Sequence, residues 1–253
     1  MPRMMPISDD MQITKIPGPG TFQFSAVRPE NLGATEYTLV TIVVDETSSV
    51  YKFASDLLKT VKSIVEACQK SPRAENLMIR LVSFNDVQTE IHGFKPLSSI
   101  NVKDYKPFKP DGMTALYDAA YSAVGATLMY AQTLTSQDFD VNGAIYIITD
   151  GMDNMSSTRP KNIADKIKKA ENDDDIESMI TVLVGLQAPG AGYYDDISKA
   201  LNDFKNQAKL TQYIDVGEAK PKRLAKLAQF VSHSISSQSQ ALGSGMASQP
   251  LTF

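Results

Sequence analysis

A chain of 253 residues, 42% hydrophobic and 21% charged, has room for one well-filled α/β domain with tails but not for two full domains. Its net charge of −4 gives no broad electrostatic basis for binding nucleic acid or an anionic membrane, and a lone cysteine, Cys68, excludes an intramolecular disulfide framework or a cysteine-rich zinc site. No stretch approaches the roughly 18 apolar residues of a membrane span, and Met1 to Thr21 carries Asp9, Asp10, Lys15 and several prolines in place of an apolar leader, so a cytoplasmic location is expected.

Residues 1–36 read as an extension rich in Pro and Gly, with one alternating piece, Thr21 to Val27, able to add as an edge strand. From Tyr37 the pattern alternates. Thr38 to Val44 is an apolar, β-branched strand, and Val50, Phe53, Leu57, Val61, Ile64 and Cys68 mark one face of a helix that stops before Pro72. Leu77 to Phe84 and Gln88 to Phe94 read as a hairpin turned at Asn85-Asp86. Ala115 to Leu134 is a long Ala-rich helix, and Gly143 to Thr149 is a second buried strand. Ile163, Ile167 and Ala170 mark the next helix, Ser178 to Gly185 a strand, Ile197, Leu201 and Phe204 a helix, and Gln212 to Val216 the last strand. The final helix starts at Pro221, with Leu224, Leu227, Val231 and Ile235 on one face. Residues 237–253, rich in Ser, Gln and Gly, read as a flexible tail. This alternation predicts a mostly parallel sheet of six strands, covered by helices on both faces.

Oxygen-bearing side chains cluster at three strand-to-helix transitions: Asp45, Thr47 and Ser49; Gly112-Met113-Thr114; and Asp150-Gly151. Alternate residues of an extended turn face one way, so Asp45, Thr47 and Ser49 can converge on one point at the carboxyl end of the sheet, where open α/β folds bind ligands. Each piece also has a purely structural reading: Thr47, Ser49 and Thr114 as helix N-caps, Asp150-Gly151 as a tight turn, and Asp45 as a solvated strand end. Together they offer five oxygen donors, a set that suits Mg²⁺ or Mn²⁺ and leaves room for an outside ligand.

The segments Asp45-x-Thr47-x-Ser49, Asp111-Gly112-Met113-Thr114-Ala115-Leu116-Tyr117-Asp118 and Ile148-Thr149-Asp150-Gly151-Met152-Asp153-Asn154 resemble the metal-ion-dependent adhesion site of the von Willebrand factor A domain family, over about Tyr37 to Ser236. Thr47 stands where the usual motif has Ser; it keeps the hydroxyl but restricts χ1. The resemblance implies a doubly wound sheet with one antiparallel edge strand. It also implies Mg²⁺ or Mn²⁺ held by Asp45, Thr47, Ser49, Thr114 and Asp150, with a partner protein's Asp, Glu or free carboxylate completing the coordination. Gly112 and Gly151 would permit close backbone approach, and Asp153 and Asn154 would shape their loop through hydrogen bonds to backbone. Phe230 to Ser237 also resembles the end of intracellular bacterial A-domain proteins associated with tellurium resistance and stress.

Other chemistries have less in the sequence to carry them. His92 and His233, the only histidines, read as structural, no Gly-x-Ser-x-Gly elbow or phosphate-binding Gly-x-x-x-x-Gly-Lys loop is present, and Asp173-Asp174-Asp175 reads as a solvated connection. One enzymatic alternative is Mg²⁺-dependent phosphoryl transfer of the haloacid-dehalogenase kind, with Asp45 as nucleophile and Lys161 or Lys166 as cation. Thr47 occupies the place of its second acid. Another alternative is a structural or assembly component that uses tails and sheet edges without metal. The free carboxylate of Phe253, on a tail that reaches roughly 50 Å when extended, adds an intramolecular candidate for a metal ligand.

Overall fold

The β-branched run Glu36–Asp45 forms β4 inside the sheet, and Leu77–Phe84 (β5) and Asp140–Thr149 (β7) pair with it in parallel on either side. The computed structural model describes residues 3–4, 9–173, 176–190 and 194–253. Ser178–Gln187 (β8) and Gln212–Glu218 (β9) continue the parallel order beyond β7, and Gln88–Pro96 (β6) lies antiparallel on β5.

Alternation along β4 builds two cores. Leu39 and Val43 face helices Leu116–Thr135 (α2), Pro160–Asp173 (α3) and Tyr194–Ala208 (α4). Val40, Ile42 and Val44 face Ala54–Gln69 (α1) and Pro221–Gly243 (α5). Sites on the sheet are thereby held from both sides. Cys68 is buried on the α1 side, where burial pushes its thiol up to about 12, so it packs as a small apolar group.

The sheet extends past the six expected strands. Met11–Ile16 (β2) and Phe22–Val27 (β3) form an antiparallel pair, β3 runs parallel to β6, and Arg3–Met4 (β1) also pairs with β6, giving nine strands among the described residues. β6 therefore lies inside the sheet, and the antiparallel pair β2–β3 forms the edge on that side, with β3 covering the expected piece Thr21 to Val27. Two contacts explain why. Phe24 packs edge-on against Phe94 at 6.1 Å, and Glu90 of β6 accepts from Ser25 N at 2.9 Å and Ser25 Oγ at 2.7 Å while also accepting from Arg80 Nε at 2.7 Å. The last of these is a buried ion pair, and Ser25 supplies two further hydrogen bonds to its acid, which offset part of that acid's desolvation. Gly93 lets the strands approach: a Cβ there would lie 2.0 Å from the Ser25 carbonyl oxygen. Among the structured N-terminal strands, β2 was hidden from sequence reading by its polar outer residues and the adjoining Pro-Gly run.

The C-terminal segment expected to be mobile is docked. α5 continues to Gly243 because its buried polar residues find partners: Ser234 Oγ accepts from Tyr146 at 2.8 Å, and Ser239 Oγ accepts from Arg73 Nε at 3.0 Å. Gln238 donates to the Gln249 carbonyl at 2.7 Å, and Gln212 donates to that of Leu251 at 2.9 Å. The Phe253 ring then stands edge-on to Phe230 at 5.5 Å, with Lys226 Nζ 4.4 Å from its centroid. The end of the chain thus folds back on α5.

His92 on β6 is part-buried, its Nε2 2.8 Å from the Tyr105 hydroxyl and its Nδ1 3.0 Å from the Gly93 carbonyl; His233 is exposed. Asp174 and Asp175 lie outside the described residues. No described helix is long and apolar enough to cross a membrane.

Candidate metal centre

Asp45 closes β4 and Asp150 follows β7, neighbouring parallel strands, so both carboxylates emerge at the same end of the sheet. The chain leaving Asp45 turns into a short 3-10 helix, Ser48–Lys52, before α1 begins at Ala54. Thr47 occupies the N-cap position of that helix without capping it, and Ala115 rather than Thr114 stands at the N-cap of α2. The capping explanation for these hydroxyls therefore does not hold, and they are free for other work.

That work is a chain of hydrogen bonds joining four of the five candidate ligands. Asp45 Oδ1 accepts from Thr47 N at 2.8 Å, the Thr47 and Ser49 hydroxyls lie 2.9 Å apart, and Ser49 Oγ donates to Asp150 Oδ1 at 2.6 Å. Thr114, the fifth, is placed by a reciprocal pair: its N–H donates to Asn154 Oδ1 at 2.8 Å and its carbonyl accepts from Asn154 N at 3.0 Å. Its hydroxyl sits 3.6 Å from where a Cβ on Gly151 would be, which brings it to the Asp150 loop. Asp45, Thr47, Thr114 and Asp150 are buried, and Ser49 is exposed at the mouth.

The loop residues divide by role. Asp153 turns to α2, accepting from Tyr117 N at 3.2 Å, while Asn154 holds Thr114. Gly112 has φ +75° and its carbonyl accepts from Ser48 Oγ at 3.3 Å, tying the second loop to the first. Gly151 differs from expectation. Its φ is not in the left-handed region, and a Cβ would meet the nearest side chain at ordinary contact distance, so no close backbone approach requires glycine there.

Three residues outside the candidate set organise it. Thr149 Oγ1 donates to Asp45 Oδ2 at 2.5 Å and accepts from Gly151 N at 3.2 Å, fixing the Asp45 carboxylate and the start of the third loop together. Its place in Ile-Thr-Asp-Gly was visible in sequence, but it reads there as a buried strand position. Asn85 joins the hairpin turn to the second loop, donating to the Asp111 carbonyl at 3.0 Å and accepting from Ala115 N at 2.9 Å. Asp118 accepts from Thr158 N at 2.8 Å and so pins the stretch after the third loop to α2.

The electrostatics of the pocket are unfavourable for two bare carboxylates. Burial raises the Asp45 carboxyl, against the lowering bonds from Thr149 and Thr47. Burial, with the charge of Asp45 second, raises Asp150 to about 7 despite the Ser49 bond. Asp150 Oδ2 is buried without a hydrogen-bond partner. Among the described residues no group of three or more His, Cys, Asp or Glu side chains gathers to hold a metal, so a cation here has to rest on two carboxylates and neighbouring hydroxyls. An unsatisfied carboxylate oxygen beside a second acid, within a hydroxyl-rich set, fits a hard dication.

No family model matches the sequence, and neither does any curated protein. Solved structures do. The PilB minor pilin from Streptococcus sanguinis superposes with TM-score 0.55 at 16% identity over 84% of this chain and 64% of that one. The open conformation of the pilus adhesin SpaC from Lactobacillus rhamnosus GG gives 0.54 at 12% identity, over 92% and 35%. Proximal thread matrix protein 1 from the mussel byssus, in a structure with a zinc-occupied MIDAS motif, gives 0.51 at 17%, over 79% and 46%. The chain spans less than two thirds of the length of each. At these identities the likeness is one of architecture, and the architecture is the α/β, Rossmann-like fold of von Willebrand factor A domains.

Proposed function

We propose that this chain is a protein-interaction module in which Asp45, Thr47, Ser49, Thr114 and Asp150 hold Mg²⁺ or Mn²⁺ and leave a coordination position for an Asp, Glu or free carboxylate of a partner protein. The observation that carries this reading is the unpartnered, buried Oδ2 of Asp150 beside the equally buried Asp45. Two like charges so placed cost several kcal/mol unless a cation or a proton offsets them. Bound there, the cation would supply a Lewis-acidic centre for a carboxylate. The chain's own residues hold the geometry: Thr149 fixes Asp45, Ser49 orients Asp150, and Asn154 sets Thr114. The zinc-occupied motif of the mussel matrix protein supports including Zn²⁺ among the ions tested.

Asp45 as a phosphoryl-accepting nucleophile has less support. Its side chain is fully buried with both oxygens accepting hydrogen bonds, and Lys166, one of the cations that chemistry would use, donates to the Pro17 carbonyl and lies over the Tyr121 ring. We keep a cytoplasmic setting as part of the proposal. The Phe230–Ser237 resemblance adds nothing about a partner, because Phe230, Val231, Ser234 and Ile235 are core-packing positions of α5.

Calorimetry with Mg²⁺, Mn²⁺ and Zn²⁺ on the wild type and Asp150→Ala tests the reading. Uptake of one ion by the wild type, lost in a variant that keeps its circular dichroism, supports it. No uptake of any of the three, with or without an acidic peptide, overturns it.

A further inference from the structure

The loops that carry the candidate ligands also carry most of the exposed large apolar side chains. Among the described residues these are Ile13, Tyr51, Met113, Met152, Met155 and Met246, and four of the six flank the metal centre. Tyr51 is 78% exposed, Met113 48%, Met152 44% and Met155 51%. Tyr51 belongs to the 3-10 helix that contains Ser49; Met113 directly precedes Thr114; Met152 and Met155 bracket Asp153 and Asn154 just after Asp150.

Their placement is fixed by bonds already described. Asn154 and Thr114 hold each other through two hydrogen bonds, one from Thr114 N to the Asn154 side chain and one from Asn154 N to the Thr114 carbonyl, which sets Met155 and Met113 on adjoining loops, and Ser48 donates to the Gly112 carbonyl, which joins the Tyr51 segment to the same edge. Large apolar groups kept in water around a polar centre are costly to leave uncovered, and Met adapts its shape to what covers it.

Resting on the cation-binding reading above, we infer that this surface recognises an extended partner segment with one Asp or Glu flanked by aliphatic or aromatic residues. A purely apolar occupant would leave the cation's coordination incomplete, and a strongly acidic one would leave the rim wet. Asp86 and Asp111, exposed on the hairpin turn and the second loop, repel a run of acids and so favour a single carboxylate. Apolar neighbours packed on Tyr51 and the three methionines would exclude water from the central contact, where a low local dielectric strengthens the ion–carboxylate interaction.

Two blocked pentapeptides distinguish this from the bare metal site: one with Asp between leucines, one with Asp between glycines, each titrated by calorimetry into the full chain with saturating Mg²⁺. The leucine-flanked peptide should bind about tenfold tighter or more, the scale expected from covering one or two apolar side chains. Its Asn counterpart should bind weakly. M113S/M152S/M155S, altered only at exposed positions, should take up Mg²⁺ as before and bind both Asp peptides alike; Tyr51→Ser should reduce the preference independently. Equal affinity of the wild type for the two Asp peptides overturns the inference and leaves the cation-dependent reading standing. Equal binding of the Asn and Asp peptides between leucines overturns it as well, as does loss of Mg²⁺ uptake in the triple variant. Failure of the wild type to take up Mg²⁺ instead removes the reading on which it rests.

Discussion

At the scale of single residues, the two loop glycines differ in consequence. Gly112 adopts φ +75°, and a Cβ there would lie 2.2 Å from Asp86 Oδ1, so Gly112→Ala should cost about 1–2 kcal/mol in urea denaturation. Gly151→Ala should stay within about 0.5 kcal/mol of the wild type, since its added methyl meets Thr114 Oγ1 at 3.6 Å. Asp150 offers a second measurement. Its carboxyl, raised from 3.8 to about 7, binds a proton more readily folded than unfolded, so its contribution to cation-free stability declines as pH rises between those values. Asp150→Asn keeps an oxygen for Ser49 and removes the charge. In EDTA at pH 8 it should be more stable than the wild type by about 2–4 kcal/mol, and Mg²⁺ should then leave its melting temperature unchanged. Asp45, Thr47, Ser49, Thr114 and Asp150 could be singled out as candidate donors because each reads as sitting at a strand-to-helix transition, whose position follows from hydrophobic periodicity. Thr149 was not legible in its role, because a buried Thr at a strand end looks the same whether it packs or donates to a carboxylate.

At the scale of elements, hydrophobic periodicity located the strands and helices from Tyr37 onward, but it could not announce that α5 would run past Ser236. A Ser- and Gln-rich helix end is stable only when distant groups satisfy it, and here they come from Tyr146, Arg73 and the returning chain at Gln249. Removing residues 249–253 should therefore lower stability by about 1–3 kcal/mol, read by denaturant unfolding, through the lost Phe253 and Leu251 burial on the α5 side. β6 carries a pH-dependent element of its own. Burial lowers His92 to about 4, so the unfolded chain takes the proton first, and its share of stability, complete above pH 6.5, is lost as pH falls toward 4. The loss is about 1–3 kcal/mol, reduced by the ring's partial solvent contact. It opposes the Asp150 effect in the same window. His92→Gln should thus retain more stability on acidification from pH 7.5 to 4.5 than the wild type does.

At the scale of the whole molecule, a bound cation and the fold should stabilise one another. If the centre binds Mg²⁺, a free concentration near one hundred times the dissociation constant should add about 2.7 kcal/mol, seen in scanning calorimetry as a higher transition temperature that EDTA reverses. The doubly wound plan was readable from the strand and helix alternation. Of the added strands, β3 was readable, since Thr21 to Val27 has the alternation of a piece able to join an edge; β1 and β2 were not, and β3 is tied to β6 by Ser25 donating to Glu90, the acid of the buried ion pair with Arg80. That tie has a practical outcome for anyone shortening the protein to begin at Tyr37. The cut would leave an acid half satisfied and a ready-made slot beside Gly93 vacant, and the cheapest way to refill it is a strand borrowed from another molecule. Such a fragment should self-associate on a sizing column where the full chain does not.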